Sequence, residues 1–367
     1  MKLIVPEFIS SIKPYSPGKP IEELEREYGI EDSIKLASNE NPLGTSPRAV
    51  AAISKALGQL NRYPEGSGYY LTQKLSGRLG VKPENIVLGN GSDEVIGMLT
   101  RAFITPGDEA IMPFPSFLMY EIMVRASGGI AVTAPLTASL FPDLNLIKEK
   151  ITERTRLIFL THPNNPTGTA IAADDFKRFF KAVPPDIIVV VDEAYIEFVR
   201  DKDVLNSVDF VKSGGMVVTL RTFSKVYGLA GLRIGYGVMH EQIAEVLHRI
   251  RQPFNANSLA QVAAIAALDD DEFLKETLAL IHSGIKYLYN EIERIGLKFF
   301  PTQTNFLLID MAMDADEVFE CMLRKGVIVR SMTSYGYPEY IRVNAGLAEE
   351  NERFVRALED VIMEMGR

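Results

Sequence analysis

The sequence predicts an α/β protein with a large domain, whose central sheet is mainly parallel and flanked by helices, and a smaller α+β domain. Three observations carry this. From about residue 85, short apolar runs alternate with amphipathic stretches, the pattern of parallel strands joined by helical crossovers. The run "IIVVV" in "DIIVVVDEAY" is apolar throughout, as a strand buried on both faces must be. A chain of 367 residues also exceeds what one hydrophobic core supports, so two lobes are expected.

The strand-like runs are, in order, "NIVLGNG", "EAIMPF", "RLIFLTHPNNPTG", "DIIVVVDEAY", "GMVVTLRTFSK" and "RIGYGVM". Between them lie "SDEVIGMLTRAF", "FLMYEIMVRAS" and "DDFKRFFKAV", apolar at helical spacing. After residue 240 the text turns helical, with "EQIAEVLHRI", "SLAQVAAIAAL" and a long stretch from Glu272 to Ile295, before "NFLLIDM" and "GVIVRSM" return to strand character. These shifts place the large domain at 45–280 and the small one at 281–367, joined by the N-terminal segment 1–44. No repeat or linker composition separates them, so the lobes should pack together.

Hydrophobic residues make up 47% and charged residues 24%, and no apolar run reaches membrane-spanning length, so no membrane partner is expected. The start has one early lysine and a short apolar stretch interrupted by Pro6 and Glu7, unlike a secretory leader, and the expected location is cytoplasmic. A net charge of −9 without a basic stripe disfavours nucleic acid. One cysteine, Cys321, excludes a disulfide framework, and four unclustered histidines give no metal site.

Ligands of open α/β sheets bind outside the carboxyl ends of the strands. Ser92 and Asp93, Asn165, Asp192 and Lys225 all fall there. In "RTFSKVYGLAGLR" Lys225 has hydroxyls at Thr222 and Ser224, a fixed cation at Arg233, and small residues at Gly228, Ala230 and Gly231. Hydroxyls and a guanidinium can hold a phosphate, while a partly desolvated amine near cationic charge loses proton affinity and becomes a nucleophile able to form a Schiff base. That combination points to pyridoxal phosphate, which further requires a carboxylate facing its pyridinium nitrogen and donors facing its ring oxygen. Asp192, ending a buried strand without a local cation, is the candidate carboxylate, although a strand-end aspartate can also cap a turn. Tyr195 and Asn165 are the candidate donors. "GNGSDE" opens a helix whose free N–H groups suit a phosphate, although Asp93 also reads as an ordinary first-turn acid.

At this point "ASNENPLG", "NRYPEG", "GNGSDE", "PNNPTG", "VDEAY", "RTFSKVYGLAGLRIGY" and "IRVNAG" stand in family order. Across nearly its whole length the chain resembles the pyridoxal-phosphate enzymes of the aspartate aminotransferase fold, and within them the histidinol-phosphate aminotransferases. The resemblance implies that Lys225 carries the cofactor as a Schiff base, Asp192 pairs with the ring nitrogen, Asn165 and Tyr195 contact the ring oxygen, and Ser92, Asp93, Ser224 and Arg233 surround the phosphate, beside the hydroxyl of Thr222. It places Phe117 on the ring face, where core packing is the alternative. It has Tyr63 reach the cofactor phosphate of a neighbouring subunit, which requires a homodimer with shared active sites.

On the substrate side the resemblance implies Tyr15, Asn41, Arg330 and Arg342. Arg342 would hold the α-carboxylate of glutamate or 2-oxoglutarate, or the phosphate of histidinol phosphate. Arg330 also reads as a strand-end surface charge, and Tyr15 as part of an exposed proline-stiffened arm. Aromatic aminotransferases and threonine-phosphate decarboxylases share the fold, and a silent binding protein on it is argued against by intact Lys225 and Asp192. His162 has no visible catalytic partner and reads as structural.

Overall fold

A computed structural model describes residues 3–15 and 18–366. The early lysine at residue 2, and Pro17 of the stiffened arm, lie outside the described residues.

Seven strands form the large sheet: β1 Ile86–Gly89, β2 Glu109–Phe114, β3 Ile130–Pro135, β4 Thr155–Thr161, β5 Ile188–Asp192, β6 Val217–Thr222 and β7 Gly235–Met239. Their order across the sheet is β1-β7-β6-β5-β4-β2-β3. Alternation along β5 explains the all-apolar text: Ile188 and Val190 enter the core on one face, Val189 and Val191 the core on the other. Each such buried aliphatic side chain contributes about 1.5–3 kcal/mol.

β7 is the exception to the expected parallel pattern. It runs antiparallel to both β6 and β1, with Thr222 opposite Gly235. The chain leaves β6, makes the 223–234 loop and returns beside the strand it left. Lys225 and Arg233 therefore sit on one loop whose two stems are hydrogen-bonded together. β4 and β5 end level, with Thr161 paired to Asp192, while β6 continues to Thr222, two residues past Leu220, the partner of Asp192.

The second lobe has a four-stranded antiparallel sheet of β8 Lys298–Phe300, β9 Phe306–Asp310, β10 Arg330–Ser331 and β11 Tyr340–Asn344, ordered β10-β11-β9-β8. In a separate two-stranded sheet, Ile34–Lys35 of the N-terminal segment pairs in parallel with Val327–Ile328. The expected boundary at 280 falls inside a single helix, Asp271–Ile295. Its buried stripe of Phe273, Thr277, Ile281, Ile285, Leu288 and Ile292 holds one face to the core from end to end. Asp270 caps its start, and Gly296, at φ 82°, ends it in the left-handed conformation that glycine adopts without a Cβ penalty. The lobes are thus joined by a continuous helix. Among the described residues no helix is long and apolar enough to cross a membrane.

Candidate active site

A cavity of about 270 Å³ opens between the lobes at the carboxyl ends of β4, β5 and β6. It gathers Tyr15, Ser92, Asp93, Phe117, Asn165, Asp192, Tyr195, Thr222, Ser224, Lys225, Arg233, Arg330 and Arg342, all expected from sequence. Two expected residues are elsewhere.

Asn41 faces away, its amide donating to the Val226 carbonyl at 2.8 Å and to Thr277 Oγ1 at 3.1 Å. It braces the N-terminal segment against the lysine loop, and the substrate role expected of it is corrected accordingly. Asn39, two residues earlier, is the asparagine at the cavity wall. Tyr63 stands 82% exposed, stacked on Phe254 with centroids 4.6 Å apart.

Lys225 Nζ donates to the Ser38 carbonyl at 3.1 Å and lies 5.7 Å from the centre of the Tyr195 ring. Burial, with Arg342 adding repulsion, lowers the amine to about 8, while Glu40, Tyr15 and Asp93 oppose the shift. The small residues of its loop serve different ends. Ala230 borders the cavity. Gly228, at φ +66°, lies where a Cβ would meet the Gly44 carbonyl oxygen at 1.9 Å, so it admits the N-terminal backbone rather than a ligand. A Cβ on Gly231 would meet nothing within 4 Å.

Asp192 is buried, and among the described residues it has no ion-pair partner. Its Oδ2 accepts from the Tyr120 hydroxyl at 2.9 Å and its Oδ1 from the Ala194 N–H at 3.2 Å. Burial raises the carboxyl to about 7, against the Tyr120 hydrogen bond. Tyr120 also meets Thr161 Oγ1 at 2.9 Å, and Thr161 meets Ser116 Oγ at 2.7 Å. Because a carboxylate only accepts, the proton count orients all three hydroxyls toward Asp192 when it is charged.

Behind the site, Glu193 is fully buried and accepts from Arg221 Nη2 at 2.7 Å and from Ser207 Oγ at 2.6 Å. This pair ties the end of β5 to the end of β6, one residue from Asp192 and from Thr222 respectively. Nothing in the spacing of the sequence singles out Asn39, Tyr120, Glu193 or Tyr335, which also lines the cavity.

The phosphate end is built from a helix start and a loop. Helix Ser92–Phe103 begins after Gly91, which supplies no capping side chain. Arg233 reaches Asp93 at 3.4 Å and Ser224 Oγ at 3.5 Å. A Cβ on Gly91 would lie 2.6 Å from Arg233 Nη2, and one on Gly235 2.4 Å from the Ser92 N–H. On the opposite wall the Arg342 guanidinium, 6% exposed, donates to Asn165 Oδ1 at 2.5 Å and the Ala37 carbonyl at 2.7 Å. It lies 5.1 Å from the centre of the Phe306 ring, and its Nε is buried with no partner. Tyr195 OH accepts from Asn39 Nδ2 at 2.9 Å.

This set fits pyridoxal phosphate on its own chemistry: a buried carboxylate lacking a cation, a buried amine brought toward neutrality, and a glycine-cleared anion cradle at a helix start. His162, by contrast, is consumed structurally. Its Nδ1 accepts from the Ile171 N–H at 2.9 Å, which leaves the proton on Nε2, directed at the Leu205 carbonyl at 3.0 Å.

Residues 31–358 match the family model described as aminotransferase class I and II. The chain is similar to a histidinol-phosphate aminotransferase of Desulfotalea psychrophila, at 50% identity over 100% of this chain and 97% of that protein. One of Moorella thermoacetica is 48% identical over 97% and 92% respectively. Among solved structures, the histidinol-phosphate aminotransferase of Sinorhizobium meliloti in complex with pyridoxal-5'-phosphate superposes with a TM-score of 0.91, at 29% identity over 98% of both chains.

Proposed function

Since the chain belongs to the class I and II aminotransferase family, we propose that it transfers an amino group between L-histidinol phosphate and 2-oxoglutarate, as a histidinol-phosphate aminotransferase does. It is a pyridoxal-phosphate-dependent enzyme. The observation that carries the substrate assignment is the pair of arginines at the cavity wall, Arg330 and Arg342, which are register partners on adjacent strands. Two cations side by side suit a phosphate ester in one half-reaction and a dicarboxylate in the other.

Bound through Lys225, the cofactor supplies an electron sink for the substrate carbon that bears the amine. Ser92, Asp93, Thr222, Ser224 and Arg233 would hold its phosphate, Asp192 its ring nitrogen, Asn165 and Tyr195 its ring oxygen, and Phe117 its face. Asp192 keeps a full negative charge only beneath a cation, so it favours the protonated nitrogen. Arg342 orients the substrate by its anion. Lys225, with its amine near neutrality, takes the proton from the substrate carbon. Tyr15, which lines the cavity from the N-terminal segment, would help to screen the site from water once substrate is bound.

The proposal includes a homodimer. Tyr63, Phe254, Leu57, Leu60, Tyr69 and Tyr70 are exposed apolar or aromatic side chains, and Tyr63 stacks on Phe254, a surface a second copy could cover. A second copy covering them would bring Tyr63 to its partner's phosphate seat. Sedimentation reads the dimer directly, and a monomer at micromolar concentration would remove the shared-site reading.

The substrate assignment is tested by single-turnover absorbance of the holoenzyme. Histidinol phosphate should bleach the visible band of the lysine-bound cofactor rapidly, and 2-oxoglutarate should restore it. Faster bleaching by phenylalanine, or carbon dioxide release from threonine phosphate, would leave the cofactor chemistry standing and remove the substrate.

A further inference from the structure

Asn39 sits at a junction that the catalytic roles above leave unused. It is 1% exposed and holds φ 55°, the left-handed region, in which asparagine is among the few residues tolerated. Its backbone is gripped by the small lobe: the N–H donates to Asn344 Oδ1 at 3.1 Å, and the carbonyl accepts from Asn305 Nδ2 at 3.1 Å. Its side chain crosses to the large lobe, where Nδ2 donates to Tyr195 OH at 2.9 Å. Asn344 is two residues along β11 from Arg342.

A phenol has one proton and a limited set of acceptor directions. With Asn39 donating to the oxygen, the hydroxyl proton of Tyr195 must leave in another direction, and among the described residues that hydroxyl forms no other hydrogen bond. Tyr195 lines the cavity, so the cavity is where that proton points. We propose that Asn39 is a positioning residue that holds Tyr195 as a hydrogen-bond donor toward the cofactor's ring oxygen, and that the small lobe sets this orientation through Asn305 and Asn344. The proposal rests on Tyr195 facing the ring oxygen, as read above.

The consequence is electrostatic. In a Schiff base of pyridoxal phosphate with lysine, the nitrogen's proton is shared with the neighbouring ring oxygen. A donor on that oxygen draws off its negative charge and lets the proton leave at lower pH. Turning Tyr195 away should therefore raise the pH at which the visible band of the bound cofactor titrates, with no substrate present and no turnover needed.

Asn39→Gly keeps the left-handed backbone and removes the amide. Asn39→Asp also tolerates that backbone but puts an acceptor opposite Tyr195, so the hydroxyl turns from the cofactor to the carboxylate. The holoenzymes of both variants and of Tyr195→Phe are titrated spectroscopically. The expected order of midpoints is wild type, then Asn39→Gly, then Asn39→Asp, with the last shifted up by about half a unit or more. Adding Asn39→Gly to Tyr195→Phe should move the midpoint no further, because the two act on one hydrogen bond. A general loosening of the site would add in the double variant instead, and that result overturns the proposal. So does an unmoved midpoint in Asn39→Gly and Asn39→Asp when Tyr195→Phe does shift it. If Tyr195→Phe itself leaves the midpoint in place, the placement of Tyr195 at the ring oxygen fails first, and the role of Asn39 falls with it.

Discussion

Arg330 and Arg342 are register partners on antiparallel strands, two like charges facing one cavity. Like charges directly opposite each other on a sheet cost stability unless something negative lies between them. An anion entering the cavity therefore meets two guanidinium groups carried on neighbouring strands of the small lobe.

Replacing Arg342 by lysine keeps the charge and loses the planar fork that reaches Asn165 and Ala37 together. The expected loss in kcat/KM is about 100-fold, for 2-oxoglutarate and for the phosphorylated amine alike. Steady-state kinetics with each substrate check this. A loss confined to one of them would mean that the two anions use different arginines.

The charge of Asp192 is held in the fold at a cost when no cation covers it. Its carboxyl is raised to about 7 by burial, so relative stability is fully present below the ordinary carboxylate range and is lost as pH rises through about 7. Asp192→Asn should stabilise the cofactor-free protein by on the order of 2 kcal/mol at pH 8, with the gain fading toward pH 4. Urea unfolding at several pH values measures it. A gain of the same size at every pH would show that charge is not the cause.

The amine of Lys225 is lowered to about 8, and only the neutral form attacks the aldehyde of pyridoxal phosphate. The rate at which the cofactor-free protein captures added pyridoxal phosphate should rise with pH and level off above about 8. Stopped-flow absorbance follows it. An inflection near 10.5, the ordinary value for lysine, would contradict the burial argument.

Gly228 and Gly231 make a matched pair three residues apart. Alanine at Gly228 would force a Cβ against the Gly44 backbone at φ +66°, and neither chain can yield cheaply. The expected destabilisation is on the order of 3 kcal/mol or more. Alanine at Gly231 meets open space and should be close to neutral. Equal costs in denaturant unfolding would refute the close-approach explanation.

Most of the large sheet was legible because a strand buried on both faces has to be apolar throughout, as β5 is. The direction of β7 was not, since "RIGYGVM" has the same composition in either orientation and only its pairing with β6 and β1 decides. The continuity across residue 280 was not legible, because an uninterrupted helix carries no compositional break there. In the cavity, strand-end polar residues were readable by position. The choice between Asn39 and Asn41 was not, because it turns on one backbone dihedral in a loop with no periodicity. Tyr120 was hidden for a related reason, as an aromatic near a helix start reads as core until the carboxylate it meets is in view.

The cavity takes its walls from both ends of the chain, Asn39 near the beginning and Arg342 near the end. On the ribosome, where domains form as units in the order they emerge, all seven strands of the large sheet have been made by Met239. Lys225 and Asp192 are then already in the chain, but the strand carrying Arg342 is still about a hundred residues from synthesis. A chain halted there carries the residues that face the cofactor but not Arg330 or Arg342, so the substrate-side cations are made well after the lysine they face.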